Sequence, residues 1–410
     1  MNEKPQAVVV IGTREHEGEV ELVRALGYRV LLLNTKINIE DALVADVPVE
    51  LDLNDETLVI SKVIDLTNHY YIKAVFTLNE YRVPLSARIA ETLGLQRTIS
   101  YEAAQNCRNK KLTRRTLMRN GIQAMKFATV KTPAEALDVI ADMDIPVVVK
   151  PANDAGSHLV YRCDTLQEVW EAVEAIAQTP YNWVGQNRDP EILIEEYLVG
   201  KEYSVEACTI QGETHILAIT EKETTTTNVS VEIGHTVPAI LEEEQVSSIH
   251  DLVKKALRAL GVDNCVTHTE IKLDGNSLRI VEVNARPAGD KIPLLVRAVT
   301  GYDLRELALH IALGGQFENA PRHEVLAPVA AIRFLIADKH GVVSYDSRGV
   351  LEFEEMKYIE FFTKNGYVVK KTTSNYNRLG YFVVFGKNRD HVETVNRKIL
   401  SKLNLRISDI

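Results

Sequence analysis

Three polar side chains on one predicted hairpin have the types and the spacing to hold a divalent cation. Two alternating runs flank the turn sequence Asp-Gly-Asn-Ser at 274–277, which predicts a β-hairpin. A three-residue loop at 275–277 would pair residue 274 with residue 278, and the same register places Glu270 directly opposite Glu282. Asn284 follows on the same face, because side chains alternate along a strand. The other face of the hairpin is predicted to enter a core with Ile271, Leu273, Val281 and Val283.

Two carboxylates that face each other on a sheet repel, and this repulsion is destabilising unless another interaction offsets it. A cation between Glu270 and Glu282 would offset it. A ligand set made only of oxygen atoms favours Mg²⁺ or Mn²⁺. Taken alone, the segment also fits a solvated acidic hairpin without any metal.

A lysine ends an apolar strand at 147–150 and is followed by a loop of small residues at 154–158. The stem of Lys150 can stay packed while its ammonium group reaches a phosphate. Gly156 and Ser157 allow backbone N–H groups to approach phosphate oxygens. The sequence is not a Walker A motif, and a structural Lys-Pro turn is the alternative for this segment alone.

Adjacent carboxylates end a second apolar strand, where Glu195 and Glu196 precede Tyr197 and Leu198. Such groups can accept hydrogen bonds from an adenine amino group and from ribose hydroxyls. A charged strand terminus without a ligand is the alternative.

The elements that must position these groups follow from hydrophobic periodicity. Over the first hundred residues, strands and helices alternate, which predicts a small α/β unit with a parallel sheet. Its first turn, at 12–18, lacks GxGxxG and therefore does not indicate a dinucleotide fold. A basic helical stretch follows at 98–121, and then come strands around a helix at 165–176, a loop at 179–190, an antiparallel sheet over 192–221 and a helix at 242–260.

The C-terminal part is predicted to form a further α/β unit from about residue 326. Its expected elements are a strand at 330–336, a helix near 355–364, strands at 367–371 and 381–386, and a helix at 389–403. The polar segment at 224–230 is either a lid over a site or a surface loop.

The order of these motifs resembles the ATP-grasp superfamily of ADP-forming carboxylate–amine ligases. Lys110 comes first, then Lys150-Pro, the Gly-Ser loop, Glu195-Glu196-Tyr-Leu, and last the acidic hairpin with Arg286. The resemblance covers about residues 5–325. It implies an α/β protein with an ATP-grasp fold, an N-terminal parallel α/β domain and a C-terminal α/β extension. The implied domains are 1–97, 98–199 with the small lobe, 200–325 with the large lobe and metal site, and 326–410.

The resemblance also implies roles for individual residues, with ATP and Mg²⁺ or Mn²⁺ as cofactors. Glu270, Glu282 and Asn284 match the metal ligands, and Arg286 matches the arginine that steadies the acyl phosphate and the tetrahedral intermediate. The residues that match the ATP site are Lys110 and Lys150 for the phosphates, Gly156, Ser157 and His158 for the covering loop, Glu195, Glu196 and Leu198 for the adenine hinge, and Glu202 for the ribose.

Two further segments, 231–239 and 283–290, look like the L-amino-acid ligase (dipeptide synthetase) group. By this resemblance Glu232 would hold a substrate α-amino group, and His235 would lie near the transferred phosphate. A satisfied core histidine is the alternative for His235. Asp290 should line the substrate pocket, where an acidic residue would suit a cationic or a small polar amino acid. Glu80 and Arg82 either reach the site from the first domain or form a structural ion pair.

Composition narrows the functional classes. The chain has 410 residues and a formal net charge of −10, which argues against general nucleic-acid binding. Its apolar runs are too short for a membrane span or a signal peptide. Four separated cysteines indicate a reducing cytoplasm rather than a disulfide framework or a zinc site. Amino acids are the expected substrates and a homodimer the expected assembly, whereas another ATP-grasp ligase of primary metabolism and a non-catalytic ATP-binding sensor are the rival functions.

Overall fold

The computed structural model describes residues 3–13, 18–123, 125–225 and 231–410. The turn predicted at 12–18 and the segment at 224–230, predicted to be either a lid or a surface loop, therefore lie largely outside the described residues. Across these ranges, no helix is both long enough and apolar enough to cross a bilayer.

The N-terminal region forms the parallel α/β unit that the sequence predicts. Within its described residues, a four-stranded parallel sheet has the order β3-β2-β1-β4. Both faces of β1 and β2 pack into apolar clusters, which explains their continuous apolar runs. The strands are β1 (Gln6–Ile11), β2 (Arg29–Asn34), β3 (Val47–Glu50) and β4 (Tyr71–Phe76), and the helices are α1 (Glu19–Ala25), α2 (Ile39–Val44), α3 (Glu56–Leu66) and α4 (Val83–Thr92).

Two helices lead from this unit into a small antiparallel sheet. The sheet has the order β5-β8-β6-β7 in the described chain, and Lys150 and Glu195 are the penultimate residues of the adjacent strands β6 and β8. Thr165 caps the predicted helix and, with Glu168, forms a capping box. The elements are α5 (Tyr101–Arg108), α6 (Lys110–Arg119), β5 (Phe127–Val130), α7 (Pro133–Ile140), β6 (Val147–Pro151), β7 (Tyr161–Cys163), α8 (Leu166–Ala177) and β8 (Ile192–Glu196).

A large sheet occupies the rest of the molecule. Counting described residues alone, it has eight strands in the order β13-β12-β9-β10-β11-β14-β18-β16, and β17-β15-β19 form a small separate sheet. The large sheet contains strands from both sides of residue 325. The division of the chain into four domains stays a prediction. Its strands and the surrounding elements are β9 (Lys201–Ile210), β10 (Glu213–Thr224), β11 (Glu232–Val237), α9 (Glu243–Leu260), β12 (Cys265–Asp274), β13 (Ser277–Asn284), α10 (Ile292–Thr300), α11 (Leu304–Ala312), β14 (Val329–Leu335), β15 (Gly341–Ser344), β16 (Met356–Phe361), β17 (Val368–Val369), β18 (Gly380–Gly386), α12 (Arg389–Leu403) and β19 (Arg406–Ser408).

The helix predicted near 355–364 is wrong. The segment Met356–Phe361 is instead the strand β16, which pairs with β18 at the edge of the large sheet. Tyr, Ile and Phe within it favour a pleated surface. The pairing partner lies about twenty residues further along the chain, where sequence periodicity over the segment itself cannot detect it.

The acidic hairpin forms, but its turn differs from the predicted three-residue loop. Asp274 pairs with Ser277 across a two-residue turn, in which Gly275 adopts a φ of 57° that favours glycine. A register shift next to Glu270 then adds one residue on the second strand. The two differences offset each other, and Glu270 pairs with Glu282 as predicted.

The register shift also changes which side chains of the hairpin enter the core. Ile271 and Val283 are fully buried, as predicted. Ile280 is buried in place of Val281, which is only half-buried. The carbonyl of Val281 accepts a hydrogen bond from Arg114 at 2.6 Å, so the irregular position is held from α6.

Candidate active site

One face of the large sheet carries a row of polar residues that lie far apart in sequence. Lys222 is the cross-strand partner of both Glu202 and His235. Directly opposed residues on antiparallel strands share a face. Further along that face, His268 is paired with Glu206 on one side and with Asn284 on the other. The sheet register therefore assembles the candidate site.

Lys222 joins three of the carboxylates to which the sequence gave separate roles. Its ammonium group lies 2.9 Å from Glu202, 2.6 Å from Glu232 and 2.8 Å from Glu270, and 2% of its side chain is exposed. Burial would lower the pKa of Lys222, but the three carboxylates raise it well above its ordinary value. This lysine was not predicted from the sequence. Its position two residues after Thr220 on β10 was the available signal, because alternate residues of a strand share a face and both of these side chains are buried.

Glu270 accepts hydrogen bonds from Lys222 at 2.8 Å and faces the Nε2 atom of His268 at 3.3 Å. Burial would raise the pKa of this carboxyl, but Lys222 and His268 hold it well below its usual range. His268 contacts both oxygens of Glu206 at 3.0 and 3.1 Å. That contact outweighs burial and raises the pKa of His268 to about 9. Glu270 is thus an ionised carboxylate at neutral pH.

The second predicted metal ligand, Glu282, lies at the meeting point of three regions of the chain. Its Oε1 atom is 3.1 Å from the ammonium group of Lys110. One terminal atom of the Asn284 amide lies 3.1 Å from Glu282 and 3.2 and 3.3 Å from the two oxygens of Glu80. As a nitrogen this atom donates to the carboxylates, and as an oxygen it completes an all-oxygen cluster. The donor set fits a hard divalent cation, and the assignment of the ligands stays a prediction.

Glu80 reaches this cluster from the N-terminal domain, whereas Arg82 does not. Arg286 donates to Glu80 at 2.7 Å, and Arg108 lies 3.8 Å from the same carboxylate. Burial would raise the pKa of Glu80, but the nearby cations lower it. Arg82 instead donates to Leu53 and Asn54 of its own domain. Of this predicted pair, only Glu80 contacts other site residues.

The small lobe contains a second buried group of charges. Lys150 lies 2.6 Å from Glu195, and Arg114 donates to the same carboxylate at 2.7 Å. Burial lowers the pKa of Lys150, and the carboxylate opposes this effect. Glu196 is half-buried, and the carbonyl of Leu198 accepts from Lys272 at 3.1 Å. Because the side chain of Glu195 is already engaged, Glu196 and the backbone near Leu198 are the more accessible parts of the predicted adenine hinge.

The loop at 154–158 is held in place by hydrogen bonds to Asp154, a residue for which no role was predicted. Asp154 accepts hydrogen bonds from Tyr81 at 2.8 Å and from Arg188 at 2.6 Å, and it contacts His158 at 3.0 Å. The backbone carbonyl of Asp154 also accepts from Lys110 at 2.8 Å. The predicted covering loop thus lies directly against one of the predicted phosphate-binding lysines.

The backbone at the tip of this loop favours glycine. Gly156 has a φ of 68°, and a Cβ atom there would collide with the hydroxyl group of Tyr376. Ser157 follows with a φ of 56°. The loop therefore approaches the C-terminal region closely.

The predicted substrate residues converge at the other end of the polar face. His235 is fully buried, 3.5 Å from Glu232 and 3.8 Å from Asp290. Burial would lower the pKa of His235, but the two carboxylates raise it. Asp290 is bound by Arg378, a residue that the sequence analysis did not assign to the site. Arg378 lies 88 positions further along the chain, and no local motif marks it.

Comparison with known proteins bears on this geometry. A family model described as an ATP-grasp domain matches residues 143–293. The alanine–anticapsin ligase of Bacillus subtilis (strain 168) is 28% identical over 283 residues, which are 65% of this chain and 59% of that protein. The dapdiamide A synthase of Enterobacter agglomerans is 23% identical over 321 residues, 76% of this chain and 75% of that protein. The chain spans only about three fifths of the first curated relatives that it matches.

The solved structures give the same result for the fold. The L-amino acid ligase from Bacillus licheniformis superimposes with a TM-score of 0.83 over 100% of both chains, at 24% identity. The phosphoribosylglycinamide synthetase from Anaerococcus prevotii gives a TM-score of 0.70 at 18% identity, over 99% of this chain and 100% of that one. The ATP-grasp fold and the predicted resemblance are confirmed.

Proposed function

We propose that this protein, whose chain carries an ATP-grasp domain, is an ADP-forming ligase that joins the carboxylate of one amino acid to the amine of a second. The observation that carries the proposal is the convergence at Glu282 of Lys110, Asn284 and Glu80. A cation from a helix, two carboxylates and an amide meet there at the edge of the buried polar face. Such an arrangement suits a metal-bound polyphosphate.

The proposed reaction has two steps. An oxygen of the donor carboxylate attacks the γ-phosphorus of ATP, which forms an acyl phosphate and releases ADP. The amine of the second amino acid then attacks the acyl carbon, loses a proton and expels inorganic phosphate, and an amide bond results. Phosphoryl transfer of this kind depends mainly on positioning and on charge neutralisation.

Different residues of the chain would provide the positioning and the charge neutralisation. Lys110 and Lys150 would neutralise phosphate oxygens once ATP displaces their present carboxylate partners. Arg286 would place two parallel N–H groups on the transferred phosphoryl group and on the developing oxyanion, which a lysine cannot do. Mg²⁺ or Mn²⁺ held by Glu270, Glu282 and Asn284 would add charge neutralisation at the phosphates.

Water must be excluded, because it would hydrolyse an acyl phosphate. The loop at 154–158 supports this part of the proposal, since the carbonyl of Asp154 accepts from Lys110 and Gly156 lies close to Tyr376. Glu232 would receive the α-amino group of the donor. The relative named as a ligase of alanine and anticapsin supports an amino-acid donor. We still expect the enzyme to act as a homodimer in a reducing cytoplasm.

The test is a screen for phosphate release with ATP, Mg²⁺ and all L-amino acids, singly and in pairs. The expected product has the mass of the two amino acids less one water. We expect Glu282→Gln to lower the rate at least about a hundredfold, while Glu352→Gln, at an exposed position, leaves it unchanged. ATP binding without phosphate release would favour a sensor, and release that requires a purine ribotide instead would favour a different ligase.

A further inference from the structure

A buried arginine from the C-terminal region contacts the amino-acid end of the proposed site. Arg378 donates to both oxygens of Asp290, at 2.7 and 3.0 Å. Its guanidinium group stacks 3.6 Å from the ring centroid of Phe334, and its Nε atom donates to the carbonyl of Asn375. Only 8% of Arg378 is exposed. These contacts fix the plane of the guanidinium and aim it at the carboxylate.

The same C-terminal segment is hydrogen-bonded to strand β11, which carries Glu232. The side chain of Asn375 accepts from the backbone N–H of Glu232 at 3.0 Å. Arg378 lies 3.5 Å from the carbonyl of the same residue. Asp290 and Lys291 both have left-handed φ values, 51° and 62°, which non-glycine residues adopt only where the surroundings require it. The position of Asp290 is therefore imposed by its contacts.

His235 indicates that this pocket is built for a ligand. Its side chain is fully buried, and its Nε2 atom lies 3.5 Å from Glu232 and 3.8 Å from Asp290, too far for a good hydrogen bond. Neither ring nitrogen forms a hydrogen bond with any of the described residues, and a buried polar group without one is costly. The donor or acceptor atoms of Glu232, His235 and Asp290 lie within 4.8 Å of one another. A bound polar group at this point would satisfy the imidazole.

The charges of the pocket determine which side chain the donor amino acid can carry. Lys222 shares its charge with Glu232 and two other carboxylates, so the Glu232 end keeps excess negative charge, which suits an ammonium group. The Asp290 end is different, because Arg378 donates to both oxygens of this carboxylate and His235 lies 3.8 Å from it. A cationic side chain there would meet the guanidinium at close range, and an anionic one would meet the carboxylate.

We propose that Arg378 is the residue that sets side-chain selectivity for the donor amino acid, and that the Asp290–Arg378 pair selects a neutral polar side chain. This inference rests on the proposed ligase function. An amide or hydroxyl group can donate to a free lone pair of Asp290 and accept from an N–H of Arg378 without leaving a charge unmatched. Of the two substrate classes expected from Asp290 alone, the cationic one is disfavoured and the small polar one is retained.

The test compares lysine, glutamine and glutamate as donors. An amino-acid amide such as alaninamide serves as the acceptor, because it lacks a carboxylate and cannot be activated. We expect the wild type to give the highest kcat/KM with glutamine. Arg378→Met should raise the lysine-to-glutamine ratio of kcat/KM about tenfold, and Asp290→Asn should raise the glutamate-to-glutamine ratio about tenfold. The double variant should return both ratios toward the wild-type values.

Two controls separate selectivity from structural damage. Arg333→Met removes a largely buried arginine of strand β14, which pairs with Glu223 at 2.7 Å, and it should leave both ratios unchanged. Arg378→Gln replaces the methionine variant if that variant fails to fold. Ratios that move less than twofold, or in the same direction in both single variants, would overturn the inference while the ligase assignment stands. Absence of amino-acid-dependent phosphate release in the wild type would overturn both.

Discussion

Replacing Lys222 with methionine tests the electrostatic centre of the site. Methionine keeps roughly the length and the apolar stem of lysine but lacks the ammonium group. Glu202, Glu232 and Glu270 would then lose the buried cation that they share. Loss of one partner from a buried ion pair costs about 3–5 kcal/mol, because the remaining charge is left uncompensated. Whole-protein stability is about 5–15 kcal/mol, so we expect a large loss in the free energy of unfolding.

The matched control is Lys111→Met. Lys111 also bridges two carboxylates, Asp189 at 2.7 Å and Glu191 at 2.6 Å, but 12% of its side chain is exposed against 2% for Lys222. Because Lys111 is less buried than Lys222 and its partner Glu191 is 29% exposed, we expect a smaller loss of stability for Lys111→Met. Urea unfolding followed by circular dichroism at pH 7, in a metal chelator, measures both variants. A loss for the Lys222 variant within about 1 kcal/mol of the control would refute the reasoning.

The same variant makes a second measurement possible. Oxygen atoms of Glu202, Glu232 and Glu270 lie within 4.8 Å of one another. Without the ammonium group these carboxylates can hold a divalent cation in its place. A ligand at a hundred times its Kd stabilises a folded protein by about 2.7 kcal/mol. Added Ca²⁺ should therefore stabilise the Lys222→Met variant more than the wild type, and equal stabilisation would count against the converging geometry.

Two further predictions follow from buried titratable groups. Burial raises the pKa of every cysteine thiol, to about 12 for Cys163 and Cys208. A thiol reagent at pH 8 should therefore label the folded protein slowly, and it should label all four cysteines in urea. A single fast-reacting thiol in the folded protein would contradict this prediction. Burial would raise the pKa of Asp154, but hydrogen bonds from His158, Tyr81 and Arg188 hold it below 3.8. Its contribution to stability is therefore present above pH 3.8 and is lost as the pH falls through the lower folded value. The difference in unfolding free energy between wild type and Asp154→Asn should stay constant from pH 7 to 5 and shrink only below about pH 4; a difference that shrinks already between pH 7 and 5 would contradict the assignment.

Local patterns were sufficient for much of the fold. The alternation of strands and helices over the first hundred residues predicted a small unit with a parallel sheet, and β1 to β4 form one. The capped helix at 165–176 differs from α8 by one residue at each end. These features depend on interactions within a few residues, which side-chain periodicity and capping residues report directly. The prediction of a helix at 355–364 failed because this segment is an edge strand, and an edge strand depends on a partner that is distant in sequence, here β18.

The site divides in the same way. The sequence by itself determined the ATP-grasp motifs and their order. It also predicted the opposition of Glu270 and Glu282, but the two-residue turn and the bulge that together set this register appear only in the structure. Only the tertiary structure decided that Lys222 joins three carboxylates and that Arg378 neutralises Asp290, 88 residues away. Pairing of buried charges is set by which strands and loops become neighbours in space, and one sequence, without its fold, carries no record of those distances.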